Sequence, residues 1–245
     1  EAATLSFFSQ GQYLNPMVIR IAGLAYQRGF GGHFHNDNSL TIFRDIPGLI
    51  LACPSNGSDA VKMLRTATKE AHDKGRIVVF IEPIALYMVK DLHNPKDNKW
   101  SSKYPGMDEE LKVGEFITYG KGKALTIISY GNGLYHSLKA QPEIEKKINR
   151  KIKIIDICWL SDINVDGLLK EIGQCKKVLI VDECRRSGCY GEGLMASLYE
   201  KSKNDLDIKL HAAEDSFIPL GIAATSTLPD YETITHHSIE LINNE

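Results

Sequence analysis

Residues 17–53 read MVIRIAGLAYQRGFGGHFHNDNSLTIFRDIPGLILAC, in which two apolar stretches enclose a loop rich in glycine and histidine. The first stretch, MVIRI, and the last, LILAC, have the aliphatic and β-branched composition of strands buried in a sheet. In α/β proteins, the loops that leave the carboxyl ends of such strands carry the ligand sites. This loop is therefore the first place where chemistry is expected.

The composition restricts the class of protein. The chain has 245 residues, 43% of them hydrophobic, which is enough for one large domain or two modest ones. Its net charge is -2 and its lysines and arginines are scattered, so a nucleic-acid partner is not expected. No apolar run approaches the roughly 20 residues that span a bilayer, and we expect a soluble protein without a membrane partner.

The five cysteines form an odd set, which is typical of reduced thiols in the core of a cytosolic protein. Cys184 and Cys189 have a loose metal-like spacing, but no nearby histidine or second cysteine pair completes a zinc set. The sequence therefore predicts no metal site in this chain.

Strands and helices alternate along most of the chain. After the loop, the sequence predicts a short amphipathic helix from Leu40, the strand LILAC, a helix that runs from its cap Ser58 to Lys74, and the strand RIVVFIEP. A second series begins at ALTIISYGNG, includes a helix capped by Asn164, and closes with the helix THHSIELI. Helical crossovers between continuous apolar strands indicate parallel sheets that are buried on both faces.

This alternation predicts an α/β fold of two doubly wound, mainly parallel-sheet domains. We place the domains at residues 1–84 and 123–245, with a connection rich in proline, asparagine and charge at residues 85–122. The chain opens with EAATLSFFSQGQY, whose apolar residues follow no capping residue. We therefore expect Glu1 to be an internal residue of a longer polypeptide.

Two histidines, His33 and His35, lie in the glycine-rich loop and are followed by Asn36, Asp37 and Asn38. A loop imidazole can accept or donate a proton near neutral pH, because small changes in its surroundings move its pKa across that range. Hydrogen bonding to backbone carbonyls is the alternative role. The loop glycines can let the backbone approach a ligand or simply supply turns.

A second glycine-rich stretch, CRRSGCYGEG, lies between a predicted strand and a predicted helix. It resembles a phosphate cradle only loosely, since it lacks the GxGxxG fingerprint. Arg185 and Arg186 can bind an anion or lie in a solvated turn. Glu183 ends its strand where ligands often bind, although a carboxylate at a strand end is usually solvated. Nucleophile signatures such as GxSxG are absent. From these residues alone the reaction stays open.

The order of the motifs resembles the beta subunit of the thiamine-diphosphate-dependent 2-oxo acid dehydrogenases, the decarboxylating components of the pyruvate and branched-chain complexes. The resemblance is carried by the strand MVIRI, the glycine loop ending in His35, the stretch DIPGLILACPS and the helix SDAVKMLRTA. The triplet at residues 35–37 is His-Asn-Asp, where the family has His-Ser-Gln. The second half, from LKVGEFITYG to VLIVDECRRSGCYGEG, is similar to the carboxyl-terminal domain of transketolases.

The resemblance implies a partial transketolase-like pyrimidine-binding domain at residues 1–84 and a transketolase carboxyl-terminal-like domain at residues 123–245. It implies an enzyme that decarboxylates a 2-oxo acid with thiamine diphosphate and passes the acyl group to lipoamide. His35 matches the histidine that faces cofactor and substrate in relatives, which makes it the predicted catalytic and cofactor-binding residue. Gly32 is a second cofactor-binding candidate, and Arg20 is expected to order the loop.

Two parts of the family's site are absent from this chain: the glutamate that activates the aminopyrimidine ring, and the GDG-type motif that holds the diphosphate and its magnesium. We therefore expect the chain to be inactive alone and to need an alpha subunit or the amino-terminal half of a fused polypeptide. A dimer bound to a lipoyl acyltransferase core is implied, in a bacterial cytoplasm or a mitochondrial matrix. The alternatives are a transketolase or deoxyxylulose-phosphate synthase relative and a non-catalytic assembly module of the dehydrogenase complex.

Overall fold

The computed structural model describes residues 1–27, 38–203 and 205–243, and within these ranges strands and helices alternate as predicted. The strands are β1 (Met17–Gly23), β2 (Leu49–Ala52), β3 (Ile77–Pro83), β4 (Ile117–Tyr119), β5 (Thr126–Ser129), β6 (Lys153–Asp156), β7 (Lys177–Arg185) and β8 (Asp207–Ala213). The α-helices are α1 (Ala2–Phe8), α2 (Gly57–Lys74), α3 (Gly131–Ile148), α4 (Val165–Ile172), α5 (Tyr190–Ser202) and α6 (Tyr231–Asn243). Short 3-10 helices occupy Leu40–Asp45, Ile84–Leu86 and Gly221–Thr225. The predicted α/β class is confirmed.

The first sheet is parallel and has the strand order β1-β3-β2. Helix α2 packs on the face that carries Val78 and Phe80 of the central strand β3. The opposite face, with Val79 and Ile81, enters an apolar core shared with the second sheet. Because both faces are covered, β3 is an uninterrupted apolar run rather than an alternating one.

The second sheet has the strand order β4-β6-β5-β7-β8 and is parallel except for β4, which is antiparallel at one edge. Apolar residues of α3 and α6, such as Leu134 and Ile234, cover one face. Residues of α4 and α5, such as Leu168 and Leu194, cover the other, so the sheet is doubly wound as predicted. Strand β4 falls within residues 85–122 and was not predicted, because three residues are too few to show a period.

The helix caps test the local predictions. Asn164 caps α4 as predicted, since its side chain accepts a hydrogen bond from the Gly167 amide at 2.9 Å. The predicted cap of α2, Ser58, is wrong. Asn56 takes this position instead and accepts from the Asp59 amide at 3.1 Å, so that the helix begins one residue before Ser58.

The two sheets are joined where β2 ends. Ala52 forms an isolated antiparallel bridge with Trp159, which is fully buried in the segment after β6. The neighbouring Cys53 amide donates to the Cys158 carbonyl at 2.8 Å. The carboxyl end of β2 is thereby fixed against the second sheet. The domain boundaries at residues 84 and 123 remain predictions.

All five cysteines are buried and carry free thiols. Within the described ranges, no group of three or more histidine, cysteine or acidic side chains could hold a metal ion. None of the helices in those ranges is both long and apolar enough to cross a membrane.

Candidate functional site

The predicted site residues His35 and Gly32, and His33 with them, lie outside the described residues, in the gap between Gln27 and Asn38. The residues that flank this gap are described on both sides. They come together at the carboxyl end of β7 and the amino end of α3, between the two sheets.

The upstream flank follows β1 and packs against α3. Leu24 and Tyr26 both have a φ of 69°, a conformation that is uncommon for residues other than glycine and is often found near functional sites. The Tyr26 hydroxyl donates to the Pro229 carbonyl at 2.7 Å, and its ring stacks on His136 with the ring centroids 5.0 Å apart. Burial raises the pKa of Tyr26 well above its usual value, and the nearby Glu183 carboxylate raises it further. This flank is therefore held by side-chain contacts with the second half of the chain.

The downstream flank is attached to β7. The Asn38 side-chain amide donates to the Glu183 carbonyl at 2.5 Å, and the Arg185 guanidinium donates to the Ser39 hydroxyl at 2.7 Å. Asn38 is buried, and among the described residues its side-chain oxygen has no hydrogen-bond partner. A buried oxygen without a partner is costly, which makes it a candidate contact for a group outside the described residues.

Glu183 is the main residue that the sequence misplaced. It was expected to be solvated, but only 1% of its surface is exposed, because the amino end of α3 covers it. Its carboxylate accepts hydrogen bonds from the Asn132 backbone amide at 3.0 Å and the Asn132 side-chain amide at 2.8 Å. Burial nevertheless dominates and raises the pKa of Glu183 to about 8.

Gly131 explains how α3 approaches Glu183 so closely. Its φ is 51°, and a Cβ atom at this position would lie 2.7 Å from a Glu183 carboxylate oxygen and 3.3 Å from the Cys53 sulfur. Only glycine meets both constraints at low cost. The glycines beside Asn132 in the sequence were the available signal for this close approach.

Asp182 connects β7 to the second glycine-rich stretch. One of its oxygens accepts from the Tyr130 hydroxyl at 2.7 Å, and the other accepts from the Gly191 amide at 2.7 Å. Burial raises the pKa of Asp182 above its usual value. A Cβ atom on Gly191 would lie 2.5 Å from a Leu210 methyl group, so close packing of α5 accounts for this glycine. The phosphate-cradle interpretation of this stretch is not needed.

Arg20 forms its described contacts away from the flanks of the loop. Its Nε atom pairs with the Glu82 carboxylate on β3 at 2.5 Å, and the Tyr87 hydroxyl donates to the other carboxylate oxygen at 2.5 Å. The guanidinium of Arg20 lowers the pKa of Glu82. The described contacts of Arg20 are thus with Glu82 rather than with the flanks of the loop.

Burial shifts the pKa values of two groups beside the loop flanks, Glu183 and His136, and so changes their protonation near neutral pH. Burial raises the pKa of Glu183 to about 8, which favours its protonated form near pH 7. Burial lowers the pKa of His136 to about 4, which leaves this imidazole neutral, and its Nδ1 atom has no hydrogen-bond partner among the described residues. The arrangement is suited to proton transfer and to binding an apolar or neutral group.

We expect Glu183→Gln to flatten the dependence of stability on pH. The pKa of Glu183 rises from 4.5 in a model peptide to about 8 in the fold, so its contribution to stability is complete below about pH 4.5 and is lost as the pH rises through 8. Between these limits the loss approaches about 1.4 kcal/mol per pH unit. Urea unfolding at several pH values should show this slope in the unchanged chain and a shallower one in the Gln variant.

The matched control is Glu143→Gln, at an exposed position on α3. It should leave the slope unchanged. Parallel pH curves for the unchanged chain and Glu183→Gln would contradict the protonated state of Glu183.

Comparison with known proteins finds a family match for part of the chain. Residues 114–226, which run from just before β4 to the loop before α6, match the family "Transketolase, C-terminal domain". This segment contains Glu183, Asn132 and His136.

Curated relatives match over most of the chain. The pyruvate dehydrogenase E1 component subunit beta of Staphylococcus epidermidis is 27% identical over 241 residues, which cover 96% of this chain and 67% of the relative. The same subunit of Staphylococcus aureus is 25% identical and covers 99% of this chain and 70% of the relative. The chloroplastic subunit beta-2 of Arabidopsis thaliana is 26% identical and covers 90% of this chain and 50% of the relative.

The fold is also similar to that of a solved structure, a split gene transketolase described as an inactive beta4 tetramer. The TM-score is 0.69 at 17% identity, and the match covers 98% of this chain and 72% of that chain. Over residues 114–226 the chain is therefore similar to a transketolase C-terminal domain, and over most of its length it has a transketolase-like fold.

Proposed function

We propose that this chain is the beta-type part of a thiamine-diphosphate-dependent 2-oxo acid dehydrogenase, which decarboxylates a 2-oxo acid and transfers the acyl group to lipoamide. The observation that carries the proposal is the match, over 96–99% of the chain, to proteins named pyruvate dehydrogenase E1 component subunit beta. When bound, the cofactor supplies the carbanion chemistry of decarboxylation. The chain's own residues bind and orient the cofactor and the substrate, and they transfer protons.

His35 is proposed as the catalytic and cofactor-contacting residue, with Gly32 as a second cofactor contact. The geometry of the flanks supports this choice. The upstream flank leaves the carboxyl end of β1, where ligand sites of parallel sheets lie. Its Tyr26 is bonded to Pro229, before α6, and Asn38 of the downstream flank is bonded to β7. Histidine is suited to general acid–base work because the unperturbed pKa of an imidazole lies near neutral pH.

The magnesium and the diphosphate are proposed to be held by a partner, an alpha subunit or the amino-terminal half of a fused chain. We further propose a dimeric assembly bound to a lipoyl acyltransferase core, in the bacterial cytoplasm or, in a eukaryote, the mitochondrial matrix.

We expect the 245-residue chain alone to bind thiamine diphosphate very poorly. The metal and diphosphate contacts lie outside it, and cofactor affinity depends strongly on such charge-assisted contacts. Isothermal calorimetry with thiamine diphosphate and magnesium should give no saturable heat for the chain alone and a saturable signal once the partner is added. Tight binding by the chain alone would contradict the proposed division of the site.

In the assembled enzyme, His35→Ala should lower kcat by about 10²–10⁴, the usual contribution of a general acid or base. The control is His72→Ala on α2, where 85% of the imidazole surface is exposed. The test measures turnover of a 2-oxo acid by both variants. Light scattering checks the assembly state of each. Unchanged turnover of His35→Ala would favour the alternative that this chain is a non-catalytic assembly module.

A second candidate function is that of a transketolase or deoxyxylulose-phosphate synthase relative, which the name of the family match and the transketolase-like fold favour. Substrate preference separates the two candidates. With an artificial electron acceptor, the assembled dehydrogenase should turn over 2-oxo acids and leave sugar phosphates unchanged. The reverse preference would establish the second candidate.

A further inference from the structure

We propose that this chain binds a small, flat aromatic molecule carrying one anionic group in a cavity beside Trp100. The cavity has a volume of about 530 Å³, which is within the range of small-molecule sites. It lies near the carboxyl ends of β2 and β3, next to the amino end of α2, and we call it the Trp100 cavity. The proposal does not rest on the proposed function, since it is argued from Trp100, Lys90 and the amino end of α2.

The floor of the Trp100 cavity is apolar and well packed. Phe80, of which 1% is exposed, comes from the centre of the first sheet, and Val61 and Leu64 come from α2. Leu86 and Val89 line the side formed by the chain after β3. Such a surface favours the face of an aromatic or other flat apolar group over a hydrated one.

Trp100 forms a wall that is held in place by its neighbours. Its indole packs edge-on against Tyr135 of α3, with the ring centroids 5.0 Å apart. Its backbone amide donates to the Lys90 carbonyl at 2.9 Å, and the Tyr135 hydroxyl donates to the Asp91 carbonyl at 3.1 Å. The segment that contains Trp100 is thereby attached to α3, so the wall exists before a ligand binds and little ordering is needed.

The charges at the mouth favour an anion. Glu82 is the acidic side chain of the lining, and it is already engaged by the Arg20 guanidinium and the Tyr87 hydroxyl. Lys90 also lines the cavity and forms no ion pair within the described ranges. One positive charge is thus left uncompensated beside an apolar floor.

The amino end of α2 adds to the positive electrostatic potential at the mouth of the cavity. Asn56 and Gly57 line the cavity where this 18-residue helix begins, and the partial positive charge of a helix is largest there. Ser101 and Ser102 line the same side, and the Ser102 hydroxyl accepts from the Ser58 amide at 2.9 Å. The anionic group of the ligand is expected between Lys90 and these serines, with its aromatic body against Trp100 and Phe80.

The test uses 8-anilinonaphthalene-1-sulfonate, a fluorescent aromatic anion, and the neutral probe N-phenyl-1-naphthylamine, which lacks the sulfonate. Titration of the 245-residue chain should give saturable emission with the anionic probe and weaker binding of the neutral one. Lys90→Gln, at an exposed position, should weaken binding of the anionic probe about fivefold and leave binding of the neutral probe unchanged. Trp100→Leu should weaken both probes by about tenfold.

Two further variants keep the outcome clear. Ala60→Phe places bulk in the cavity without removing a contact and should abolish binding of both probes. Phe8→Ser removes the side chain that is 83% exposed on α1, the obvious place for non-specific probe binding, and should change neither affinity. Circular dichroism checks that each variant is folded. Equal affinities for the unchanged chain, Lys90→Gln and Ala60→Phe, or loss of binding in Phe8→Ser, would overturn the proposal.

Discussion

The hydrogen bonds between Glu183 and Asn132 join the carboxyl end of β7 to the amino end of α3, and the arrangement of the site depends on them. The carboxylate takes two donors from one residue, which fixes the start of the helix against the strand. Asn38 then donates to the backbone carbonyl of the same Glu183, so the downstream flank of the loop is placed by the same junction. His136, one turn further along α3, receives the Tyr26 ring of the upstream flank.

This junction is costly, because three carboxyl groups are fully or nearly fully buried around it. Burial raises the pKa of Asp156 to about 7 and of Glu183 to about 8, and it raises that of Asp182 as well. Each carboxyl group has hydrogen-bond donors, such as the Cys158 amide for Asp156 at 3.1 Å, which offset part of the desolvation. Removing a donor would leave an uncompensated buried group, and such changes are usually more damaging than replacing the whole pair. The buried carboxyl groups fix the position of the loop flanks, and their desolvation lowers the free energy of unfolding.

Strand β1 contributes to two regions of the molecule, the Trp100 cavity and the upstream flank of the loop. Arg20 lies on the side of the Trp100 cavity, where it engages Glu82, and Leu24, four residues later, begins the flank that packs on α3. The strand is at the edge of its sheet and pairs with β3 alone among the described strands. The contacts of Arg20 and Leu24 with other elements therefore contribute to its placement, in addition to the hydrogen bonds of the sheet.

The sequence determined the alternation of strands and helices, the parallel character of both sheets and the Asn164 cap, because each depends on a local pattern of apolar or capping residues. It also pointed to the loop after β1. Only the tertiary structure decided the environment of Glu183, which looks like any strand-end carboxylate until α3 covers it. The short strand β4 and the Asn56 cap were likewise settled by neighbours distant in sequence or by competition between adjacent polar residues. Burial and close approach arise where separate segments meet, and no single stretch of sequence records them.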